Sequence, residues 1–244
     1  MADRLRIMHV IRAKPPGELG GADLHVADLA RRQLAANHDV SVVCLGRAEV
    51  TGVLRRRAIP HIEVWRPADA SETAASWAAA ITRKDGPTVL AFTRQKLPVL
   101  QRSTPANVRQ ALRGAYALND VDDPDVVIIA TGSEVATCQQ ALPFLDKSIK
   151  VRLVSMPCVE RFLKWPGDEQ RKLIPHGRAR LVAVEAALGL DWYRIVGDGL
   201  VAGIDRFGAS APDKALADAY NFTPQKVAGR ISKWLAEGAR TNTK

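Results

Sequence analysis

Cysteine is scarce: Cys44, Cys138 and Cys158 are the only three in 244 residues. An odd number at wide spacing excludes a disulfide framework and a CxxC metal knuckle, and their apolar or mixed surroundings read as buried thiols. The five histidines, His9, His25, His38, His61 and His176, show neither HxH nor HExxH spacing. None stands beside a serine or cysteine in a nucleophile motif, so metal-dependent hydrolysis has no candidate residues. Aromatic residues make up 5% of the chain and are too scattered to stack nucleic-acid bases. No apolar run approaches the ~20 residues of a membrane span. The opening Met1-Ala2-Asp3-Arg4-Leu5-Arg6 leads into a strand-like stretch rather than a signal peptide, so a soluble, cytoplasmic protein with no membrane partner is expected.

What is present is a globular composition, 47% hydrophobic, enough for one large core or two modest ones. The net charge of +9 is spread out, with 10 basic against 7 acidic residues over 1–64 and 25 against 19 over 65–244. Only Arg55-Arg56-Arg57 is a dense basic run, and it reads as a solvated helix end. No nucleic-acid partner is expected, although such a field steers small anions.

Apolar periodicity gives alternating strands and helices. Leu5 to Ile11 and Val40 to Leu45 read as strands around a helix from Asp23 to Ala36, which makes a βαβ unit. A short helix from Glu49 to Arg57 ends before Pro60. A strand follows from His61 to Trp65, then a helix from Ser71 to Thr82 with Ser71 as its cap, then a strand from Thr88 to Thr93. Residues 99–114 read as a linker, with a short helix over Asn107 to Leu112. Beyond it Asp125 to Ala130, Ile149 to Ser155 and Arg180 to Glu185 are strands, Ser133 to Leu145 is a helix, and Gly203 to Asp205 ends a further strand. Pro224 to Leu235 closes the pattern as an amphipathic helix.

Three motifs sit where α/β folds place ligands. In Pro15-Pro16-Gly17-Glu18-Leu19-Gly20-Gly21 a strand, a glycine turn and a helix start leave free N–H groups, so Gly20 and Gly21 either cradle an anion or serve the turn sterically. Arg94, in Phe92-Thr93-Arg94-Gln95, stands at a predicted strand end. Its guanidinium either grips a phosphate by two parallel hydrogen bonds or pairs with Asp69 or Glu72. In Thr131-Gly132-Ser133-Glu134, Thr131 or Ser133 caps a helix. An ion pair between Asp205 and Arg206 is expected to fix the loop Asp205-Arg206-Phe207-Gly208.

The runs Trp65-Arg66-Pro67-Ala68-Asp69-Ala70, Phe92-Thr93-Arg94-Gln95-Lys96-Leu97-Pro98, Ala130-Thr131-Gly132-Ser133-Glu134-Val135 and Gly203-Ile204-Asp205-Arg206-Phe207-Gly208-Ala209-Ser210-Ala211-Pro212 resemble the last quarter of a transketolase. The first sixty or so residues, through Gly20-Gly21, the following helix and the strand Val40 to Leu45, instead resemble the start of a GT-B glycosyltransferase. The fold class expected is α/β, a parallel-sheet βαβ hybrid domain over 1–98 followed by a transketolase C-terminal-like α/β domain over 115–244. Within the hybrid, residues 1–63 are glycosyltransferase-like and 64–98 close a transketolase pyrimidine domain.

The transketolase resemblance implies ketol transfer between sugar phosphates with thiamine diphosphate and Mg, and makes Arg94 the contact to the sugar phosphate. It also implies a homo-oligomer, or a complement from another chain, because the cofactor-binding signature and the ylid-forming glutamate of the family have no counterpart here. These residues are therefore expected to bind no cofactor alone and to be inactive alone. Two other readings are a non-catalytic dimerisation module and a truncated glycosyltransferase-like binder of sugar nucleotides at Gly20 and Gly21.

Overall fold

The computed structural model of the chain describes residues 6–12, 39–45, 62–93, 95–102 and 107–241. The chain divides into two compact units, residues 1–61 and 62–244. In the first, β1 (Arg6–Arg12) and β2 (Asp39–Leu45) pair in parallel, in register from Arg6 opposite Asp39 to Arg12 opposite Leu45. Parallel strands need a long crossover, as the βαβ reading requires. The helices expected over 23–36 and 49–57 lie outside the described residues.

The second unit opens with β3 (Glu63–Trp65), α1 (Ala70–Thr82) and β4 (Thr88–Leu90), the strands pairing in parallel with Glu63 opposite Thr88. Asp69, not Ser71, caps α1: its carboxylate accepts the Glu72 N–H at 3.0 Å, two residues ahead of the expected cap. Glu72 in turn reaches back to the N–H of Ala68 at 2.8 Å, a variant of the reciprocal capping box. Glu72, Ala75, Ser76 and Ala79 form the buried face, the i, i+3, i+4, i+7 stripe of a packed helix. β4 is shorter than expected because its partner ends. The Arg66 N–H turns away to the Pro157 carbonyl at 2.8 Å, and Pro67 has no N–H to extend the ladder.

A short helix, α2 (Asn107–Ala111), leads into β5 (Tyr116–Asn119), β6 (Val126–Ala130), α3 (Glu134–Ala141), β7 (Val151–Ser155), α4 (Val159–Phe162), α5 (Gly167–Leu173), β8 (Arg180–Val184), α6 (Tyr193–Val196), β9 (Leu200–Ala202), α7 (Asp213–Ala219) and α8 (Pro224–Thr241). The five strands form one sheet in the order β5-β7-β6-β8-β9, with β5 antiparallel at the edge and the rest parallel. Alternation in β6 divides the core. Val126, Ile128 and Ala130 face α3 and α8, whereas Val127 and Ile129 face Phe162, Ile174, Ile195 and Val196. Both faces are covered, as an all-apolar parallel strand demands, and each buried Val or Ile contributes roughly 1.5–3 kcal/mol. α3 stops at Ala141 rather than continuing to Leu145, because Pro143 cannot donate inside a helix and the chain tightens to a 3-10 turn over Leu142–Phe144. The strand expected to end within Gly203 to Asp205 ends at Ala202, where the Ile204 N–H turns to the Ala187 carbonyl at 2.9 Å.

Gly114 joins α2 to β5 at φ +95°, and a Cβ there would lie 2.5 Å from the Cys158 carbonyl oxygen and 2.6 Å from Arg161 Cβ. Its own carbonyl accepts the Cys158 N–H at 3.0 Å, so neither backbone can retreat without breaking that bond. Gly114→Ala is expected to cost about 2 kcal/mol or more, the left-handed penalty plus the clash. Urea denaturation checks this, and an unchanged midpoint would contradict it.

Candidate functional site

From β6 the chain crosses to β7 on one side and then to β8 on the other. The carboxyl ends of β6 and β8 therefore flank a topological switch point, the crevice in which open α/β sheets bind ligands. The protein fills that crevice itself. Arg66, delivered by the loop after β3, donates to Glu185 at the end of β8 and, at 3.3 Å, to Glu134 at the start of α3. Trp192 Nε1 donates to the other oxygen of Glu185. The backbone of Arg66 is pinned as well, its carbonyl accepting the Gly132 N–H at 3.0 Å and the Thr131 hydroxyl at 3.4 Å.

Gly132, in the Thr-Gly-Ser-Glu motif, adopts φ +60° and a Cβ there would lie 3.4 Å from the Arg66 guanidinium. Glycine thus serves both the turn and the close approach of Arg66. Burial lifts the pKa of Glu134 even with Arg66 and Ser133 beside it pulling the other way. A cavity of about 200 Å³, lined by Arg66, Glu160, Glu185, Trp192 and Arg194, remains at the mouth of this ion-pair plug.

A second polar cluster lies beneath α1. Glu72 is wholly buried and accepts from the Ser155 hydroxyl at 2.6 Å, the Tyr116 hydroxyl at 2.7 Å and the Ala68 N–H. Desolvation outweighs these donors and raises its pKa. Next to it, Arg102 grips Asp69 with two hydrogen bonds of 2.7 and 2.9 Å. Burial presses Asp69 upward, but Arg102 and the N–H groups of Glu72 and Leu100 hold it below the usual carboxylate range. Glu63, also buried, binds Arg161 at 2.8 Å and Lys164 at 3.2 Å. All three clusters join residues 63–102 to the five-stranded sheet and its helices.

The sequence-expected site residues fall differently. Arg94, Gly20 and Gly21 lie outside the described residues. The partners considered for Arg94 are engaged elsewhere, Asp69 by Arg102 and Glu72 by Tyr116 and Ser155. Neither Thr131 nor Ser133 caps α3: Thr131 bonds the Arg66 carbonyl and Ser133 donates to the Glu134 carboxylate at 3.0 Å. Arg206 does not pair with Asp205 but donates to the Ala219 carbonyl at 2.7 Å and lies over the Tyr220 ring. Cys138 and Cys158 are buried as expected, and burial pushes Cys158 up to about 12 and Cys138 higher still. Sequence reasoning missed the Arg66 plug and the Glu72 cluster, although the run Trp65 to Ala70 was the signal for both.

Residues 114–223 match the family described as the transketolase-like C-terminal domain, and residues 54–100 match the transketolase pyrimidine-binding domain. The pyrimidine-domain match begins upstream of Val64. Transketolase of Aquifex aeolicus is 45% identical over 184 residues, 74% of this chain and 27% of that protein. Transketolase of Mycobacterium leprae is 43% identical over 188 residues, 73% of this chain and 26% of that protein. Among solved structures, a Pichia stipitis transketolase complexed with sedoheptulose 7-phosphate superposes with a TM-score of 0.67 at 37% identity, covering 74% of this chain and 26% of that one. The chain therefore spans about a quarter of the length of the relatives it matches.

Proposed function

We propose that this chain, transketolase-like from residue 54 to residue 223, supplies the structural and assembly portion of a thiamine-diphosphate-dependent ketol transferase. Its 244 residues alone do not turn over sugar phosphates. The observation that carries this reading is the Arg66 plug. The switch-point crevice, where a sheet of this topology would hold a ligand, is closed by an internal guanidinium neutralised by Glu134 and Glu185. The domain is built to be stable and to present surfaces, not to bind substrate there.

The described residues do not fit the implied cofactor. No group of three His, Cys, Asp or Glu side chains among them is placed to hold a metal ion. Glu72, a wholly buried carboxylate within the segment that matches the pyrimidine-binding domain, is occupied by Ser155, Tyr116 and Ala68 and presents no surface to an aminopyrimidine. No step through thiamine diphosphate is assigned to these residues. Arg94 is proposed as the contact to the phosphate of a sugar substrate in the assembled enzyme, and the partner as a second copy or a chain bearing the cofactor domain.

The test is a coupled ketol-transfer assay with xylulose 5-phosphate, ribose 5-phosphate, thiamine diphosphate and magnesium, on the purified chain and its Arg94→Ala variant. Rates indistinguishable from the enzyme-free control are expected for both. Turnover by the chain that Arg94→Ala abolishes would overturn the structural reading.

A further inference from the structure

The plug closes the crevice between β6 and β8 but leaves the next one open. Outside the carboxyl ends of β8 and β9 lies a cavity of about 530 Å³, within the size range of small-molecule sites. The loops after the two strands form its floor and are tied by the Ile204 N–H to Ala187 carbonyl bond. Its lining combines two kinds of chemistry. Leu188, Leu190 and Tyr193 present large apolar surfaces that are 63%, 67% and 51% exposed. Arg206, Arg230 and Asp205 supply charge to the same cavity.

The two arginines are not equivalent. Arg206 is already anchored by the Ala219 carbonyl and stacked on Tyr220, so its position is fixed. Arg230, on α8, makes no hydrogen bond or ion pair among the described residues, although it is half-buried. Desolvation lowers its pKa, and the only compensation is the field of Asp205. With no bonded acceptor among the described residues, the Arg230 guanidinium keeps its N–H donors available at the cavity wall. Guanidinium geometry suits a carboxylate or phosphate oxygen pair, whereas Asp205 repels a second anionic group.

We infer that this cavity binds a small organic anion, its single oxyanion head on Arg230 beside Arg206 and its flat apolar body against Leu188, Leu190 and Tyr193. The site is separate from the plugged crevice, and the inference does not rest on the ketol-transfer reading. Binding is measured on the full chain by calorimetry, with inorganic phosphate as the head alone, phenol as the body alone and phenyl phosphate as both. Phenyl phosphate is expected to bind at least about tenfold more tightly than either part, since hydrogen bonds to charged groups and apolar burial each contribute of that order.

Arg230→Gln, which breaks no hydrogen bond or ion pair among the described residues and is expected to shift the melting temperature little, is expected to weaken phenyl phosphate about tenfold or more. Leu190→Asn is expected to erase the advantage of phenyl phosphate over phosphate while leaving phosphate binding intact. Phenyl phosphate affinity preserved in Arg230→Gln overturns the inference, as does equal affinity for phosphate and phenyl phosphate, or no saturation by about 10 mM ligand.

Discussion

Arg66→Ala lowers the free energy of unfolding by about 3 kcal/mol at neutral pH, and much of the loss is recovered on acidification. Deleting the guanidinium leaves Glu134 and Glu185 facing each other beyond the carboxyl ends of β6 and β8, both with little solvent access. The cost is the unpaired charge left behind rather than the lost attraction. Burial already raises Glu134 in the intact protein, and removing its cationic partner raises it further.

A carboxyl whose folded pKa lies above its unfolded value binds its proton more tightly in the native state, so stability rises as pH falls. The penalty is fully present above the raised folded pKa and fades as pH drops toward the unfolded value of about 4.3. Urea denaturation of wild type and variant at a neutral pH and again near pH 5 reads both effects. An Arg66→Ala penalty that is equal at the two pH values would refute the charge mechanism. Arg66→Lys should recover only part of the loss, because an ammonium cannot span both carboxylates as a planar fork does.

Glu72→Ala costs about 4 kcal/mol, the largest effect expected of any single substitution here. The change orphans three donors at once, the Ser155 and Tyr116 hydroxyls and the Ala68 N–H, and opens a void at a fully buried site. An unsatisfied buried donor costs roughly 1–3 kcal/mol, and the reciprocal cap at the start of α1 is lost as well. Tyr116→Phe removes one donor to Glu72 and the acceptor of Arg102 Nε at 3.2 Å, leaving Ser155 and Ala68 on Glu72 and Arg102 on Asp69, so about 1–2 kcal/mol is expected. Chemical denaturation of the two variants side by side tests the arrangement. A Tyr116→Phe loss as large as that of Glu72→Ala would mean that the cluster is not organised around the carboxylate.

The central strands and the terminal helix were legible because their signals are local. Val126 to Ala130 is apolar without a break, which a strand buried on both faces requires, and Val227, Ile231 and Trp234 recur at helical spacing. The antiparallel edge strand Tyr116–Asn119 was not legible: its four residues carry no run long enough to stand out, and it is stabilised by pairing with β7, distant in sequence. The short helices Gly167–Leu173 and Asp213–Ala219 escaped for the same reason.

Both polar clusters depend on partners far apart in the chain, 119 residues from Arg66 to Glu185 and 83 from Glu72 to Ser155. No spacing rule encodes such pairs. From the sequence either Thr131 or Ser133 reads as a helix cap, because local capping is the commonest use of those side chains. The arrival of Arg66 from outside the motif redirected Thr131.

The pairing of β3 with β4 spans only three residues on each strand, too little to keep a shape by itself. Its orientation is borrowed from the larger sheet and its helices through Glu63, Arg66 and Glu72. The segment from Glu63 to Arg102 therefore melts together with the C-terminal sheet in one cooperative transition and has no independent fold to retain if the two are cut apart. The five-stranded sheet thus acts as the datum from which the end of β4 takes its position.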